Sequence, residues 1–339
     1  MSHRMHRIAY LRSAVPLDGD RELLAKRGID DVELFGAPTD SDGIPLPGSL
    51  QDADGIVSEW GRVDAATFAA NPQLKAVGIM AIGYDFIDAE AAERQGCWVT
   101  NVPGYCTYDV ALHTLGLIVD LYKKISWFDR QTRSGTWDDM AGYDAERPRG
   151  KRAGLVFFGS IAQALVPMLQ SIGMEVAVWA PTKSVSQIAS LGCEKVDTVE
   201  ELFSTSDVVS LHCPLVKKTQ GLIRKETLRL MKPTAFLVNT SRGGCVVEED
   251  LAWALRNHVI RAAAIDVIQD EVSGTSPLIG LDNCIVTPHA AYHSADSYAE
   301  MRERALMNVV AGVHGRRPAD PVNEPVGRAD TRAAWPVSA

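Results

Sequence analysis

The sequence predicts an α/β protein of two domains, each a parallel sheet flanked by helices. Three observations carry that expectation. The chain has 339 residues, which suits two domains of roughly 100–200 residues better than one. Short apolar runs alternate with amphipathic stretches along most of its length, the rhythm of βαβ units. Several of those runs are apolar throughout, as strands covered on both faces must be.

A first series of strands is read at residues 7–11, 55–58, 75–79 and 98–101, with helices over 64–70 and 87–95 between them. Residues 107–128 read as one long helix. Val110, Leu117, Ile118, Leu121 and Ile125 recur on one face, only Thr114 interrupts it, and Thr107 is the candidate N-cap. A polar stretch bearing Gly and Pro fills 134–152. A second series follows, with strands at 153–158, 175–179, 208–212, 235–239, 262–266 and 284–287. The helix over 160–172 holds Pro167, which removes one internal hydrogen bond and predicts a kink. A final helix over 294–313 is expected to return to the first series. The tail from Arg316, rich in Pro, Ala and charge, is expected to be mobile.

Bulk properties exclude several functions. With 43 acidic against 34 basic residues the formal net charge is −9, and the densest basic stretch spans only 147–152. That argues against a nucleic-acid partner and against an anionic membrane surface. No apolar run approaches the ~20 residues that span a bilayer, and the amino terminus lacks a signal-peptide core. The six cysteines at 97, 106, 193, 213, 245 and 284 have neither CxxC nor CxxH spacing. No zinc site or disulfide framework is expected, and a cytoplasmic, reducing location is.

The turn after the first strand of the second series is where a dinucleotide fold carries G-x-G-x-x-G. Here it reads Phe157-Phe158-Gly159-Ser160-Ile161-Ala162. Only the middle glycine is present. Ala162 is a mild change, but Phe157 stands where the chain must turn tightly, so backbone strain is expected there. The acid that binds the adenine ribose should close the next strand. The sequence offers Trp179-Ala180-Pro181-Thr182-Lys183 instead. Two readings stay open: Ala180, Thr182 and Lys183 accommodate a 2′-phosphate and NADP is preferred, or the ordinary dinucleotide site is damaged.

Three later segments carry chemistry. Asn239-Thr240-Ser241-Arg242-Gly243-Gly244 puts an arginine just past an apolar strand, at the sheet edge where ligands bind, and its guanidinium fork suits a substrate carboxylate. Ile265-Asp266-Val267-Ile268-Gln269-Asp270-Glu271 and Thr287-Pro288-His289-Ala290-Ala291-Tyr292 each follow a strand as well. The chain resembles the D-isomer-specific 2-hydroxyacid dehydrogenases in these segments, in their order and in their separations. The resemblance extends to Ala81-Ile82-Gly83-Tyr84-Asp85 and Leu211-His212-Cys213-Pro214-Leu215 and covers roughly residues 50–315. The stretch from Thr287 to Ala305 is most similar to the subgroup containing C-terminal-binding proteins, corepressors that keep a dehydrogenase fold.

The resemblance implies two Rossmann-like domains with the active site in the cleft between them. Residues 1–102 and 293–339 would form a discontinuous substrate domain, residues 103–292 the dinucleotide-binding domain, and homodimers would pair through the latter. It implies catalysis by His289, Glu271 and Arg242 on a small-molecule carboxylate. Glu271 would favour the protonated imidazole that gives a proton to the carbonyl oxygen, and Arg242 would hold the carboxylate. Ile82, Gly83, Tyr84 and Tyr292 would contact substrate, with Trp60, Met80 and Tyr105 near its side chain. Phe157, Gly159, Ser160, Ile161, Ala180, Thr182, Lys183, Cys213, Pro214, Thr240, Ser241 and Asp266 would border NAD or NADP. His289 and His293 stand four apart, but beside Pro288 and without a third ligand they are not read as a metal pair, and His113 and His212 are read as structural.

The altered positions cluster at the cofactor. Val247 and Val272 also replace an acid and a proline usual in the family. Three functions follow in order of preference: an oxidoreductase on a 2-keto or 2-hydroxy acid; a non-redox enzyme that kept the acid–base trio without a nicotinamide cofactor, with Phe157 filling part of the vacated site; and a corepressor-like binding module.

Overall fold

The computed structural model describes residues 4–12, 15–142 and 144–325. The chain divides into two compact units, one comprising Met1–Tyr105 with Ala295–Ala339 and the other Cys106–Ser294. These limits fall a few residues later than 102/103 and 292/293, because a helix opens directly after Cys106 and another at Ala295.

In the first unit five parallel strands, β1 (His6–Leu11), β2 (Val32–Ala37), β3 (Gly55–Ser58), β4 (Ala76–Ile79) and β5 (Trp98–Thr100), lie in the order β2-β1-β3-β4-β5. The strand β2 and the helix α1 (Asp18–Lys26) are additions to the elements expected. β2 is an edge strand of mixed exposure that includes Glu33, so it lacks the continuous apolar run that marks its neighbours. The helices α2 (Ala65–Ala70) and α3 (Ala89–Gln95) start where aspartates supply caps: Asp64 accepts from Thr67 N and Asp88 from Ala91 N, each at 2.8 Å. The C-terminal helix Ala295–Val313 lies flush on this sheet. A Cβ at Gly55 would come within 2.5 Å of Val309, and one at Gly78 within 2.7 Å of the Ala305 carbonyl, so strand glycines set the close approach. Part of the tail expected to be mobile is anchored. Val322 N donates to Val99 O at 2.9 Å, and the Asn323 side chain bonds Val99 N and Cys97 O. Residues 326–339 lie outside the described residues.

The second unit opens with α4 (Thr107–Lys123) and α5 (Ile125–Arg133). The single helix expected over 107–128 is therefore broken. Lys124 takes a left-handed φ of 57°, and the Asp120 carboxylate accepts from Ser126 N at 2.8 Å to start the second helix. Thr107 is the first helical residue rather than the cap, and Cys106 precedes it without a side-chain bond. Thr114 is buried on the apolar face because its hydroxyl is satisfied, by Val110 O at 2.7 Å and by the Thr240 hydroxyl at 2.9 Å.

Seven parallel strands follow: β6 (Arg152–Val156), β7 (Glu175–Trp179), β8 (Glu194–Lys195), β9 (Val208–Leu211), β10 (Phe236–Asn239), β11 (Ala262–Ile265) and β12 (Cys284–Val286). Their order is β12-β11-β10-β9-β6-β7-β8. The chain winds outward from β6 in both directions, so the crevice between β6 and β9 at the carboxyl edge is the switch point where such sheets bind ligands. The helices α6 (Ser160–Ser171), α7 (Val185–Ala189), α8 (Val199–Thr205), α9 (Lys225–Leu228) and α10 (Glu248–Arg256) complete the unit, and Ala295–Val313 becomes α11. Apolar clusters cover both faces of the sheet, which is why its strands carry no polar alternation.

Candidate active site

Arg242, Glu271 and His289 follow three adjacent strands, β10, β11 and β12, at the carboxyl edge of one sheet. Each loop is built by a buried polar side chain. After β10 the fully buried Asn239 accepts from Ser241 N at 3.0 Å and Ser241 Oγ at 2.8 Å, and donates to Arg242 O at 3.0 Å. That fixes the turn from which Arg242 projects, and its Nη1 donates to Ser241 O at 2.8 Å. Gly243 follows because nothing larger fits: a Cβ there would stand 2.1 Å from Ile268 O. The arginine loop thus lies directly against the loop that leads to Glu271.

That second loop is tied down by Glu248, an acid only 7% exposed at the start of α10. Its carboxylate accepts from Gln269 N and from Ser276 Oγ. The Gln269 side chain in turn donates to Val246 O at 2.6 Å. Glu271 then reaches His289, with Oε2 to Nδ1 at 2.9 Å. Both side chains keep about a third of their surface exposed, as groups that meet a diffusing substrate must.

His289 itself has a φ of +51°, a left-handed backbone that costs roughly 1–2 kcal/mol for a side chain with a Cβ. Asp266 holds it there. His289 N donates to Asp266 O at 2.8 Å. The buried Asp266 carboxylate accepts from Ala290 N at 2.9 Å, Ala291 N at 3.0 Å and the Thr287 hydroxyl at 2.5 Å. Asp266 therefore spends its carboxylate on the histidine loop. His113 also serves this loop, with Nε2 3.2 Å from Thr287 Oγ1. Tyr292 stands edge-on to the His289 ring at 6.1 Å.

At the start of α6, Phe157 has a φ of +72°, the strain expected where a glycine is usual. Its N–H donates to Trp179 O at 2.8 Å and its ring stacks edge-on against Trp179 at 5.7 Å. Gly159 and Ser160 are exposed at the helix amino end, and a Cβ added to Gly159 would meet nothing within 4 Å. An open helix amino terminus at a switch point fits a pyrophosphate, while Ile161 is partly and Ala162 wholly buried behind it. At the end of β7, Ala180 is buried, Pro181 and Thr182 are exposed, and Lys195 Nζ donates to Lys183 O at 2.8 Å. Cys213 turns into the core, its Sγ 3.7 Å from that of Cys245, while Pro214 is exposed beside it. Burial pushes the His212 imidazole down to about 4.

In the first unit, Ile82, Gly83 and Tyr84 form the loop after β4. Asn101 Nδ2 donates to Ile82 O at 2.7 Å, and Ile82 and Tyr84 are exposed. Trp60 is exposed, whereas Met80 and Tyr105 are buried. A cavity of about 420 Å³ lies elsewhere, at the amino ends of β10–β12, lined by Lys124, Trp127, Arg256 and Arg261 among others. Asn239, Gly243 and Glu248 were not picked out from sequence as site residues. The only signal was an acid followed by the α10 apolar pattern.

A family model for the NAD binding domain of D-isomer specific 2-hydroxyacid dehydrogenases matches residues 115–291. A glyoxylate reductase of Thermococcus kodakarensis is 35% identical over 327 residues, covering 94% of this chain and 96% of its own. A hydroxypyruvate reductase of Blautia hydrogenotrophica is 31% identical over 81% of this chain and 88% of its own. Among solved structures, the TT0316 protein of Thermus thermophilus is similar at a TM-score of 0.83, with 31% identity over 94% of this chain and all of that one. An acyclic imino acid reductase solved with NADPH and D-Arg is similar at 0.80, with 25% identity over the same shares. With these likenesses along most of its length, the chain belongs to the family of D-isomer-specific 2-hydroxyacid dehydrogenases.

Proposed function

We propose that this protein is a nicotinamide-dependent oxidoreductase that interconverts a small 2-keto acid and the D-2-hydroxy acid, with glyoxylate and hydroxypyruvate as the first substrates to try. The observation that carries the reading is the 2.9 Å His289–Glu271 pair, on the same carboxyl edge of the sheet as the Arg242 loop. The nicotinamide, when bound, supplies or accepts the hydride at the substrate carbon. Gly159, Ser160 and Ile161 would hold the pyrophosphate at the amino end of α6, and Thr240 and Ser241 would border the nicotinamide half. Arg242 binds the carboxylate and so aligns the carbonyl. His289 gives a proton from Nε2 to the carbonyl oxygen, while Glu271 on Nδ1 holds the ring and stabilises its charged form. In the reverse direction the same nitrogen removes the hydroxyl proton.

NADP is the preferred dinucleotide in this proposal. The end of β7 carries Ala180 in place of a carboxylate, with Thr182 and Lys183 following, and a missing acid removes the repulsion a 2′-phosphate would meet. We also place the protein in a reducing compartment such as the cytoplasm, since all six cysteines are buried and none is in a disulfide. Among the described residues no helix is long and apolar enough to cross a membrane. Pairing as a homodimer through the second unit is proposed from the family and from the exposed Ile125, Trp137 and Met140 in and after α5; Trp137→Glu should then shift the species seen in light scattering to the monomer. The test of the function is oxidation of NADPH or NADH with each keto acid. Turnover with either supports it, NADPH binding tighter than NADH supports the preference, and binding of neither dinucleotide refutes the redox reading.

A further inference from the structure

Three residues far apart in sequence meet at one end of the first unit. His6 opens β1, Asp31 immediately precedes β2, and His314 immediately follows α11. One ligand-type atom from each lies within 4.8 Å of the others. The main chain already joins two of them, since His6 N donates to Asp31 O at 2.8 Å.

The hydrogen bonding of His314 is unusual. Nδ1 is 2.7 Å from Val310 O and Nε2 is 2.9 Å from an Asp31 carboxylate oxygen. A neutral imidazole has one N–H. If Nδ1–H serves the carbonyl, the Nε2 lone pair points at a carboxylate, which is repulsive. Either the ring carries a second proton, or a cation belongs between Nε2 and the carboxylate. His6 sharpens the choice. Its ring stands edge-on to His314 at 4.8 Å, and its Nδ1 is buried without a hydrogen-bond partner, 3.6 Å from Asp54 Oδ2.

We propose that His6, Asp31 and His314 bind a divalent transition-metal ion of the zinc class. Two imidazoles and one carboxylate are a common zinc donor set, with a fourth position left for water. One outer partner is in place, Val310 O behind His314 Nδ1, and the Asp54 carboxylate stands 3.6 Å from His6 Nδ1 without bonding it, which leaves Nε2 of both rings for the ion. Bonds of about 2.0–2.2 Å place tetrahedral ligands roughly 3.4 Å apart, so the three atoms need close by only on the order of 1 Å. The side chains are 15%, 25% and 21% exposed, which leaves a path for the ion. The surrounding charge permits it. Asp54 is neutralised by Lys75 at 3.0 Å and Arg4 at 3.1 Å, so Asp31 is the acid left to face the ion. The ion would tie the end of α11 to β1 and β2, a structural role separate from the dehydrogenase chemistry.

The test is titration of chelator-treated full-length protein with Zn²⁺ by calorimetry, and with Co²⁺ as a spectroscopic probe. One ion per chain is expected, with a tetrahedral-type cobalt spectrum and a thermal midpoint that rises with Zn²⁺. His6→Gln and His314→Gln should each weaken binding at least ~10-fold and abolish the thermal shift, whereas His289→Gln should bind as the parent does. If His314→Gln fails to fold, Asp31→Asn replaces it in the comparison. Absence of stoichiometric binding, or binding unaltered by His6→Gln, overturns the proposal and leaves His314 and Asp31 as a plain imidazolium–carboxylate pair.

Discussion

Asp266→Ala is the substitution that most directly probes how the fold holds His289. The carboxylate is 1% exposed and takes three donors, Ala290 N, Ala291 N and the Thr287 hydroxyl. Hydrogen bonds to a charged group are worth about 1.5–3 kcal/mol each, and a buried donor left unsatisfied costs about 1–3 kcal/mol. Such losses within one network are not additive, and water entering the gap recovers part of them. The expected destabilisation is therefore on the order of 3–5 kcal/mol. The same network keeps His289 at φ +51°. Once released, the residue should relax toward ordinary backbone angles and move the imidazole by an ångström or more, a displacement worth roughly 10²-fold in rate. Urea unfolding followed by tryptophan fluorescence measures the first quantity, and steady-state keto-acid reduction the second. Asp266→Asn should fall between, because its amide can accept from only one side. An Asp266→Ala protein within about 1 kcal/mol of the parent and within about threefold in kcat would refute this account of the histidine loop.

Three further outcomes are expected. Gly243→Ala should force the arginine loop off Ile268 O, lowering kcat about 10²-fold with a stability loss of about 1–3 kcal/mol; a fully active variant would show that the two loops need not touch. Phe157→Gly should relieve about 1–2 kcal/mol of left-handed strain but lose more in packing against Trp179, so unfolding should come earlier while dinucleotide affinity holds or improves; a tenfold weaker affinity would mean that the ring supports the cofactor. His212 is pushed from 6.5 to about 4 in the folded protein, so between those values the unfolded chain binds the extra proton and stability falls as pH falls. The full window is worth at most about 3 kcal/mol, and His212→Asn should flatten that part of a pH-dependent unfolding series.

Six strands of the second unit were legible because burial on both faces forces continuous apolar runs, so β7 falls on the residues expected and β6, β9, β10, β11 and β12 within two residues; the two-residue edge strand β8, Glu194–Lys195, has no such run and was not expected. The edge strand β2 was not, since half-exposed positions admit Glu33 and break the run. The helix over 107–128 misled because a 3.6-residue period continues across Lys124, whose left-handed turn leaves no trace in the apolar pattern. At the site, Arg242, Glu271 and His289 were legible as chemistry, being unusual residues just past buried strands. Their supports were less so. The sequence pointed to Asp266 as a neighbour of the cofactor but not to its support of the His289 loop, and Gly243 and Glu248 matter through contacts 20 or more residues away. His6, Asp31 and His314 come together only through the order of strands in the sheet and the return of α11, which no local spacing records.

The central claim is that His289 protonates the carbonyl of a bound 2-keto acid. The most direct measurement is NADPH oxidation with hydroxypyruvate or glyoxylate by the parent protein and by His289→Gln, alongside dinucleotide binding by each. The account predicts turnover by the parent, a loss of about 10²–10⁴-fold in kcat for the variant, and equal dinucleotide affinity in both. A parent protein that binds the dinucleotide yet reduces no 2-keto acid, or a variant that turns over at the parental rate, would contradict it.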